Sequence, residues 1–421
     1  MHPNNIFIKS MINKIKNCRC CGHPINESMT FGQMPIANAF IESSQSYDEY
    51  FFEMSTGFCE NCFTFQLMEQ PNAEMMFHEN YAFFSRQSKF MQIHFKGYAE
   101  WVMENYLDDV ENSFIVEIGS NDGIMLENFA NKNIKHLGVD PSSNVVSEAL
   151  KHGVHSIVSF FGLNSSHKIK EEYGAADAII SANVMCHLPD LNDIAKGAYN
   201  LLNDRGVLIF EDPYLGSMLE KVSYDQIYDE HVYIFSAISA SNIFGAHGFE
   251  LIDLKPQETH GGSMRYVFAK KGQREIQPIV KQIIDDEYAK KFNHVDTYNT
   301  FKQNCEDSKL RLKNILEDAK KLGKSVAGYG ATSKSTTILN YCDIGPNLIS
   351  FISDTTPIKQ NKVTPGMHIP VKSYEFFKEN VPDVIILFAW NHAKEIIEKE
   401  RGIIDKEVQW ITHLPDFDLG I

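Results

Sequence analysis

The sequence predicts an α/β protein with two mainly parallel sheets, each covered by helices, behind a small cysteine-containing N-terminal module. Apolar runs of strand length alternate with helical stretches between Phe114 and Phe210, and such alternation is typical of a parallel sheet. A second, shorter pattern of the same kind begins after Lys324. Two Cys-x-x-Cys pairs lie within residues 1–71. We expect the boundaries of the three domains at 1–71, 72–303 and 304–421.

Composition limits the classes of function. The chain has 421 residues, 43% of them hydrophobic, which is enough for two to three domains with proper cores. Its formal net charge of −16 argues against a nucleic-acid surface. No stretch approaches the roughly 18 uncharged apolar residues of a membrane span, and the first residues, "MHPNNIFIKSMINKIKN", are too polar for a signal peptide. The sequence therefore predicts a cytoplasmic protein without nucleic-acid or membrane partners.

The paired cysteines indicate a structural zinc site. Two Cys-x-x-Cys turns separated by a few dozen residues have the spacing of a tetrahedral site, and thiolates are ligands that zinc prefers. Free thiols are the alternative. Cys20 and His23 are spare candidates, but Cys20 would break the two-residue spacing. The predicted zinc ligands are Cys18, Cys21, Cys59 and Cys62.

A glycine turn, "VEIGSNDG" at Val116–Gly123, follows an apolar strand and leads into a predicted helix. The glycines permit a sharp turn, and a helix start there would offer N–H groups and a positive dipole end to a ligand. Asp140 ends the next strand, where nucleotide-binding α/β folds hold ribose. The E-x-G-x-x-x-G spacing resembles the first motif of S-adenosylmethionine (SAM)-dependent methyltransferases; a structural turn or an NAD site is the alternative. The predicted cofactor residues are Glu117, Gly119, Asn121, Asp122, Gly123, Asp140, Pro141 and Asn183.

Further elements follow in order. The predicted strands of the central sheet are Phe114–Ile118, His136–Val139, Asp177–Asn183 and Gly206–Phe210. Helices are expected to reach about Asn131, His152 and Leu202. Residues 274–322 predict one or two long connecting helices with solvated faces. Ligands of parallel sheets bind at the carboxyl ends of the strands, so the residues just after each strand matter most.

The segment "YDQIYDEHVYIFS", Tyr224–Ser236, combines tyrosines, acids and one histidine. As a helix it would place Ile227, His231 and Ile234 on one face. A histidine beside a carboxylate, here His231 beside Glu230, suits proton abstraction next to a carbonyl. A surface turn with a satisfied histidine is the alternative. His187, just past a predicted strand, is either an active-site residue or a helix-start residue packed on the sheet.

Two glycine-containing loops suit an anionic substrate. "ETHGGSMRYVFAKK" offers an arginine for an oxyanion, although a tight β-turn explains it equally well. "GYGATSK" offers backbone N–H groups, hydroxyls and an ammonium to a phosphate or diphosphate, without the spacing of a P-loop. The predicted substrate-binding residues are Tyr224, His260, Arg265, Tyr329, Thr332, Ser333 and Lys334.

Taken together, these motifs resemble one known family. They are "CRCCG" with "CENC", "FGQMPIANAF", "VEIGSNDG", "NVMCHLPDL", "IYDEHVYIFS", "THGGSMR" and "GYGATSK" with "NYC". The chain resembles, over nearly its whole length, the SAM-dependent C-methyltransferases that act on nucleotide-linked 4-keto-deoxysugars. The resemblance implies a zinc module, a SAM-binding Rossmann-like domain and a C-terminal Rossmann-like domain that helps to hold the nucleotide sugar.

The resemblance also implies roles for individual residues. The family's catalytic base falls on His231, with Glu230 and Tyr228 beside it, and a second active-site histidine falls on His187. A family tyrosine falls on Tyr81. His231 would take the C-3 proton of a 4-ketosugar, and the enolate would accept the SAM methyl group while His187 or a tyrosine holds its oxygen.

Several points stay open in the sequence. The loop "GYGATSKSTT" differs from the "GYGAPAKGNT" of the thymidine-nucleotide members, which leaves the nucleotide base undefined. The methylated position could instead be C-5 or a hydroxyl group. A non-catalytic SAM or nucleotide-sugar binding protein and, more distantly, an NAD-linked sugar oxidoreductase are the other classes. We expect a monomer or a homodimer.

Overall fold

The computed structural model describes residues 8–9, 14–42, 49–72, 85–404 and 408–419. Within these residues the chain forms a five-stranded N-terminal sheet, a seven-stranded central sheet, a five-stranded C-terminal sheet and a two-stranded ribbon. Among the helices of the same residues, none has both the length and the apolar character needed to cross a membrane.

The N-terminal module is built around one long antiparallel strand pair. Its strands are β1 (Ile8–Lys9), β2 (Asn26–Pro35), β3 (Ile41–Glu42), β4 (Tyr50–Phe58) and β5 (Phe65–Leu67). β4 pairs antiparallel with both β2 and β5. The turn between β4 and β5 carries Cys59 and Cys62, and Cys18 and Cys21 precede β2. The sheet thus brings the two cysteine pairs to the same end of the module.

The central sheet is doubly wound. The strands of this part of the chain are β6 (Phe114–Ile118), β7 (Lys135–Asp140), β8 (Ser156–Val158), β9 (Ala176–Ala182), β10 (Leu202–Pro213), β11 (Tyr233–Ile234), β12 (Phe249–Gln257) and β13 (Ser263–Lys270). The sheet order is β12-β13-β10-β9-β6-β7-β8. The five strands from β10 to β8 are parallel, and β13 runs antiparallel to both of its neighbours. The winding reverses between β6 and β9, where such folds bind ligands.

Helices cover both faces of this sheet. They are α1 (Lys89–Tyr106), α2 (Glu127–Ala130), α3 (Ser143–Lys151), α4 (Leu163–Tyr173), α5 (Leu191–Leu201), α6 (Leu215–Lys221) and α7 (Ala237–Gly245). Buried residues of α1, α2 and α3 form one core with the sheet, and those of α4, α5 and α7 form a second core on the opposite face. This arrangement confirms the predicted α/β fold class.

Two long helices connect the central and C-terminal parts, α8 (Pro278–Ala289) and α9 (Val295–Lys321). Their existence was predicted, but they are solvated on one side only. The apolar face of α9 joins the core of the N-terminal module, and Tyr298 stacks on Phe58 with ring centroids 4.1 Å apart. The predicted boundary between 303 and 304 falls inside α9. Because a continuous helix is best treated as part of one unit, we propose the turn at 290–294 as the dividing point.

The C-terminal domain repeats the doubly wound arrangement on a smaller scale. Its strands are β14 (Val326–Tyr329), β15 (Ile352–Ser353), β16 (Lys362–Val363), β17 (Val371–Lys372), β18 (Val384–Leu387) and β19 (Gln409–Ile411). Its helices are α10 (Ser333–Tyr341), α11 (Tyr374–Glu379), α12 (Ala393–Lys399) and α13 (Arg401–Ile404). The parallel sheet has the order β17-β15-β14-β18-β19, and β16 pairs with β3 to link this domain to the N-terminal module.

The largest departure from the predicted elements follows the first glycine turn. Residues 121–126 form successive turns, and α2 begins only at Glu127 and has four residues. Left-handed backbone at Asn121 (φ 48°) and Gly123 (φ 75°) interrupts the helical path. A four-residue helix has little dipole to offer, so a ligand here must bind to the turn itself. The short β8 and the polar α4 were not predicted.

Candidate active site and zinc centre

The two cysteine pairs converge on one point in the N-terminal module. Sγ of Cys18 lies 3.5 Å from Sγ of Cys62, and Sγ of Cys21 lies 3.5 Å from Sγ of Cys59. All four sulfur atoms lie within 4.8 Å of one another. A tetrahedral zinc ion with Zn–S bonds of about 2.3 Å places its ligands about 3.8 Å apart. The sulfur cluster therefore fits one zinc ion with no position left for a substrate.

Neighbouring polar groups hold two of these sulfur atoms. Nε2 of Gln66 donates to Sγ of Cys18 over 3.1 Å, and the hydroxyl of Thr64 lies 3.0 Å from Sγ of Cys62. Donors of this kind orient a ligand and tune its basicity. Cys20, the spare candidate, does not belong to the four-sulfur cluster.

The glycine turn after β6 approaches the loop after β9 closely. Gly119 has φ 68°, and a Cβ at this position would lie 2.4 Å from Cγ2 of Val184. Only glycine therefore combines this backbone conformation with this close contact. The turn lies at the reversal of winding in the central sheet.

Asp140, at the end of β7, braces the same turn. Its Oδ2 accepts a hydrogen bond from the N–H of Asn121 over 3.0 Å, and its Oδ1 accepts one from the N–H of Ser142 over 2.9 Å. A carboxylate has about four acceptor sites, so two remain for ribose hydroxyls. Asp140 can thus serve the turn and a nucleoside together.

This edge of the sheet is strongly acidic. Burial, and then the nearby charges of Asp122 and Asp140, raise the pKa of Glu117 well above its usual value. Oε2 of Glu117 has no hydrogen-bond partner within the described parts of the chain. A cation would relieve this concentration of buried acids, and SAM carries positive charge on its sulfonium and its amino group. The acidic character of the site fits the charge of SAM.

The remaining predicted cofactor residues lie around the same edge. Asn121 and Asn183 both have left-handed backbone, with φ 48° and φ 56°. Oδ2 of Asp122 accepts a hydrogen bond from the N–H of Arg86 over 2.8 Å, and Pro141 directly follows Asp140. The structure thus gathers every predicted cofactor residue at the ends of β6, β7 and β9.

Replacement of Asp140 by alanine should weaken SAM binding. Loss of one or two hydrogen bonds to a charged acceptor costs about 1.5–3 kcal/mol each, measurable by calorimetric titration. Asp177→Asn is a matched control. Asp177 also accepts a hydrogen bond from a backbone N–H, that of Phe114 over 2.7 Å, but it lies at the amino ends of the strands, away from the glycine turn. Equal SAM affinity in Asp140→Ala and in wild type would remove Asp140 from the site.

The histidine segment (Tyr224–Ser236) is not a helix. Tyr224–Gln226 forms a single 3₁₀ turn, and further turns lead to β11. The shared helical face considered for Ile227, His231 and Ile234 is therefore wrong. Instead, β11 pairs antiparallel with β5 of the N-terminal module. That pairing fixes the segment between the zinc module and the central sheet.

His231 has one defined tautomer. Its Nδ1 lies 2.6 Å from the backbone oxygen of Gln226, which can only accept, so Nδ1 carries the hydrogen. Nε2 is then an acceptor, and the hydroxyl of Tyr228 lies 2.8 Å from it. This is the orientation that a general base needs, with a lone pair facing the donor of the proton.

His187 lies against His231. It ends a 3₁₀ turn, Met185–His187, directly after β9. Its ring stacks on that of His231 with centroids 5.3 Å apart and an interplanar angle of 23°. The structure therefore brings together the two histidines singled out in the sequence. Tyr81 lies outside the described residues.

Burial sets the protonation of both histidines. It lowers the pKa of His187 to about 4. Burial, with a smaller contribution from His187, lowers the pKa of His231 well below its usual value. Both rings are therefore neutral at pH 7. His231 is a hydrogen-bond acceptor through Nε2, and His187 is its polar neighbour.

Glu230 does not orient His231 directly. Its Oε1 accepts a hydrogen bond from Nδ2 of Asn38 over 2.9 Å, and burial raises the pKa of its carboxyl group. The group that bonds to Nδ1 of His231 is the carbonyl of Gln226. Glu230 thus links the histidine segment to the N-terminal module.

Arg265 is not open to a diphosphate. Its Nε and Nη2 donate to Oε2 of Glu211 over 3.0 Å and 2.7 Å, and its guanidinium lies 3.6 Å from the ring centroid of Tyr98. Burial raises the pKa of Glu211, but the hydrogen bond with His94 and the charge of Arg265 outweigh it and bring the pKa to about 2. The arginine is therefore committed to a buried ion pair, which corrects its predicted role.

Two predicted substrate tyrosines are also committed elsewhere. Tyr224 is fully buried, and its hydroxyl lies 3.4 Å from Sγ of Cys342. The hydroxyl of Tyr329 donates to Oε1 of Glu400 over 2.8 Å. Tyr224 packs in the core that the N-terminal module shares with α9 and α10, and Tyr329 packs in a core of the C-terminal domain, so we assign both to packing.

The loop Gly328–Lys334 begins the helix α10. Thr332 is its N-cap and accepts from the N–H of Ser335 over 3.2 Å, while Ser333 opens the first turn. Lys334 is buried, and its Nζ lies 3.4 Å from the oxygen of His260. This contact brings the two predicted substrate loops together. The close approach at Gly261 is made by Trp390, since a Cβ there would lie 2.0 Å from its ring.

Sequence reasoning missed several buried polar residues. Asp225 bonds to Trp390 and His413, and Lys359 donates to the oxygen of Ala331 over 2.8 Å. Asp225 lies in the histidine segment but was not singled out there, because its partners lie at least 165 positions away in the chain, and Lys359 belongs to no motif. The only signal was the density of acids in the histidine segment.

The fold and the site define a class of protein. A doubly wound sheet with an acidic glycine turn at its winding reversal, followed by two stacked neutral histidines, is the arrangement of a SAM-dependent methyltransferase. The N-terminal sulfur cluster adds a zinc site.

Comparisons with known proteins agree with this class. Residues 18–77 match the family model "Putative zinc binding domain", residues 89–254 match "Methyltransferase domain" and residues 258–415 match "C-methyltransferase C-terminal domain". The chain is 29% identical over 413 residues to the C-methyltransferase NovU of Streptomyces niveus, covering 97% of this chain and 98% of the relative. These matches identify the chain as a SAM-dependent methyltransferase with an N-terminal zinc-binding domain, similar to a C-methyltransferase, and its cofactors are SAM and zinc.

Solved structures resemble less than half of the chain. Magnesium protoporphyrin IX methyltransferase from Synechocystis PCC 6803 with bound SAM is 14% identical with a TM-score of 0.32, covering 43% of this chain and 79% of that one. The PH0226 protein from Pyrococcus horikoshii OT3 is 12% identical with a TM-score of 0.35, covering 45% and 95%.

Proposed function

We propose that the enzyme methylates C-3 of a nucleotide-linked 4-keto-6-deoxysugar, with His231 as the base. The observation that carries this proposal is the stacked pair of neutral histidines, the buried His231 and the half-buried His187, with Nε2 of His231 held as an acceptor. The family resemblance of the motifs supports the sugar substrate and the C-3 position.

In this reaction the side chains of the protein carry out a proton transfer, and the methyl group comes from SAM. The C-4 ketone acidifies the hydrogen on C-3, and Nε2 of His231 takes it. The hydroxyl of Tyr228 lies 2.8 Å from Nε2 in the structure, and the C-3 hydrogen of the sugar would approach Nε2 from that same side. His187 or a tyrosine hydroxyl would donate a hydrogen bond to the enolate oxygen. Bound SAM supplies a methyl group that its sulfonium activates toward a carbon nucleophile.

Two lysines support the binding of a sugar nucleotide by the C-terminal domain. No carboxylate oxygen of the described residues lies within 4.0 Å of Nζ of Lys334 or Lys359. Burial lowers the pKa of both ammonium groups, while Asp225 opposes this at Lys334 and Asp354 at Lys359. Lys334 is buried and Lys359 is half-buried, and poorly compensated cations in such places favour an anionic ligand. We place the diphosphate here, with Lys359 in the role first assigned to Arg265.

Turnover with a panel of nucleotide-linked sugars tests this function. S-adenosylhomocysteine should form from SAM with at least one 4-ketosugar and with none of the matching 4-hydroxy sugars, because only the ketone acidifies C-3. Formation of S-adenosylhomocysteine with the 4-hydroxy sugars would point to methylation of oxygen.

Replacement of Lys334 by alanine should raise the KM for the sugar nucleotide and leave the affinity for SAM unchanged. Removal of one charged hydrogen bond to the diphosphate costs about 1.5–3 kcal/mol, or about ten- to a hundredfold in KM. Lys362→Ala is the control, because Lys362 pairs with Glu42 at 3.5 Å and lies outside this site. A fall in SAM affinity instead would mean that the two domains have exchanged roles.

A further inference from the structure

The carbonyl that orients His231 is held from both sides by the C-terminal domain. That carbonyl belongs to Gln226, and it accepts the hydrogen of Nδ1 over 2.6 Å. The residues directly before and after it, Asp225 and Ile227, both bond to residues beyond position 330. The hydrogen bonds that hold this carbonyl, and through it the His231 ring, therefore come from the C-terminal domain.

Asp225 makes the first of these contacts. Its Oδ2 accepts a hydrogen bond from Nε1 of Trp390 over 2.6 Å, and its Oδ1 accepts one from Nε2 of His413 over 3.0 Å. Asp225, Trp390 and His413 are each at most 2% exposed. Burial alone would raise the pKa of Asp225, but His413 and the other donors bring it below its usual value. The Asp225 carboxylate is therefore charged, and each of its two oxygen atoms accepts a hydrogen bond from the C-terminal domain.

Ile227 makes the second contact. The hydroxyl of Thr337, on α10, donates to the oxygen of Ile227 over 2.9 Å. Between the two contacts, Nε2 of Gln226 donates to the oxygen of His260. Each of the three consecutive residues 225–227 is thus held by a hydrogen bond, and the partners of the first and the third belong to the C-terminal domain.

We infer that Asp225 and Thr337 are positioning residues, through which the C-terminal domain fixes the tautomer and the orientation of His231. The inference rests on the proposed function for the role of His231 as base, although the orientation itself is a separate property. The domain that carries Lys334 and Lys359 would then also align the base. Separation of the two domains would leave Nδ1 without its fixed acceptor, so proton transfer would depend on their closure.

Asp225→Asn tests this inference. Asparagine keeps the shape, but its amide presents donors to Trp390 or His413 where the carboxylate accepted. We expect kcat to fall about tenfold to a hundredfold, the effect of a small misplacement of a catalytic group, while the Kd for SAM stays unchanged. ¹⁵N NMR of the His231 ring, assigned by comparison with His231→Asn, should show one tautomer in wild type and a mixture in Asp225→Asn.

Thr337→Val is a milder second variant, should Asp225→Asn fail to fold. It removes one hydrogen bond and should lower kcat about threefold to tenfold. Glu49→Gln is the control, since Glu49 links the N-terminal module to the C-terminal domain at Gly366 and His368, away from the histidine segment. It should leave both kcat and the tautomer unchanged.

A single unchanged tautomer and unchanged kcat in Asp225→Asn, with only a lower melting temperature, would overturn the inference. Failure of the proposed function looks different. In that case His231→Asn would turn over like wild type, while the NMR signature of Asp225→Asn would still report whether the ring had lost its fixed orientation.

Discussion

Replacement of His231 by asparagine should lower turnover about 10²–10⁴-fold, the usual contribution of a general base. Asparagine can keep a hydrogen bond to the oxygen of Gln226, but it offers no basic nitrogen at the position of Nε2. SAM binding should survive, because the glycine turn and Asp140 lie on other elements. His167→Asn, at an exposed histidine of α4, is the matched control and should retain full turnover.

Solvent deuterium isolates the proton-transfer step. With SAM absent, wild type should exchange the C-3 hydrogen of a bound 4-ketosugar if the enolate forms before the methyl donor binds, and His231→Asn should not. Near wild-type methylation by His231→Asn would place the base elsewhere, with His187 or a tyrosine of the histidine segment as the next candidate.

The pH profile of turnover has a defined direction. Because burial lowers the pKa of His231 below its usual value, the neutral base is present at pH 7, and acidification removes it only below about pH 6.5. Turnover limited by this base should therefore be level near neutrality and fall on the acid side. A loss that titrates above pH 7 would contradict a neutral His231.

Replacement of Cys59 by serine should release the zinc ion and lower the melting temperature. Structural zinc contributes directly to folding free energy, about 10–16 kcal/mol of apparent binding energy in small zinc peptides. Most of the N-terminal module depends on β4 and β5, whose connecting turn holds Cys59. Metal analysis should find about one zinc per chain in wild type and clearly less in the variant.

Cys20→Ser is the control for that experiment. Cys20 lies close in sequence to Cys18 and Cys21 but outside the four-sulfur cluster, so its loss should leave the zinc content unchanged. Loss of turnover should accompany loss of zinc in Cys59→Ser, because β11 of the histidine segment pairs with β5. Zinc loss with an unchanged melting temperature would mean that the metal does not stabilise the module.

Features encoded by short spacings were predictable from the sequence. Each Cys-x-x-Cys pair and the Gly119–Gly123 turn is confined to a few consecutive residues, and Asp140 ends the next strand along the chain, so local backbone geometry and strand order explain them. The positions after strands also drew attention to the two histidines, whose rings stack in the structure. These features depend on chain connectivity in a parallel sheet, which the alternation of elements reveals.

Features made by distant residues were not predictable. Nothing near Arg265 in sequence shows that Glu211 would neutralise it, and nothing near Asp225 shows its partners Trp390 and His413, at least 165 positions away. The short α2 depended on left-handed backbone at Asn121, a residue that tolerates this conformation without requiring it. In each case a tertiary contact or a left-handed backbone conformation overrode the local sequence pattern.

The reaction that we propose is methyl transfer to C-3, next to the ketone of a nucleotide-linked sugar. The most direct measurement is NMR of the product formed from a 4-ketosugar nucleotide and SAM carrying a ¹³C-labelled methyl group. We expect the labelled methyl carbon to be bonded to C-3, with the C-4 ketone retained and no product from His231→Asn. A labelled methyl group on oxygen or on C-5, or the same product from His231→Asn, would contradict the claim.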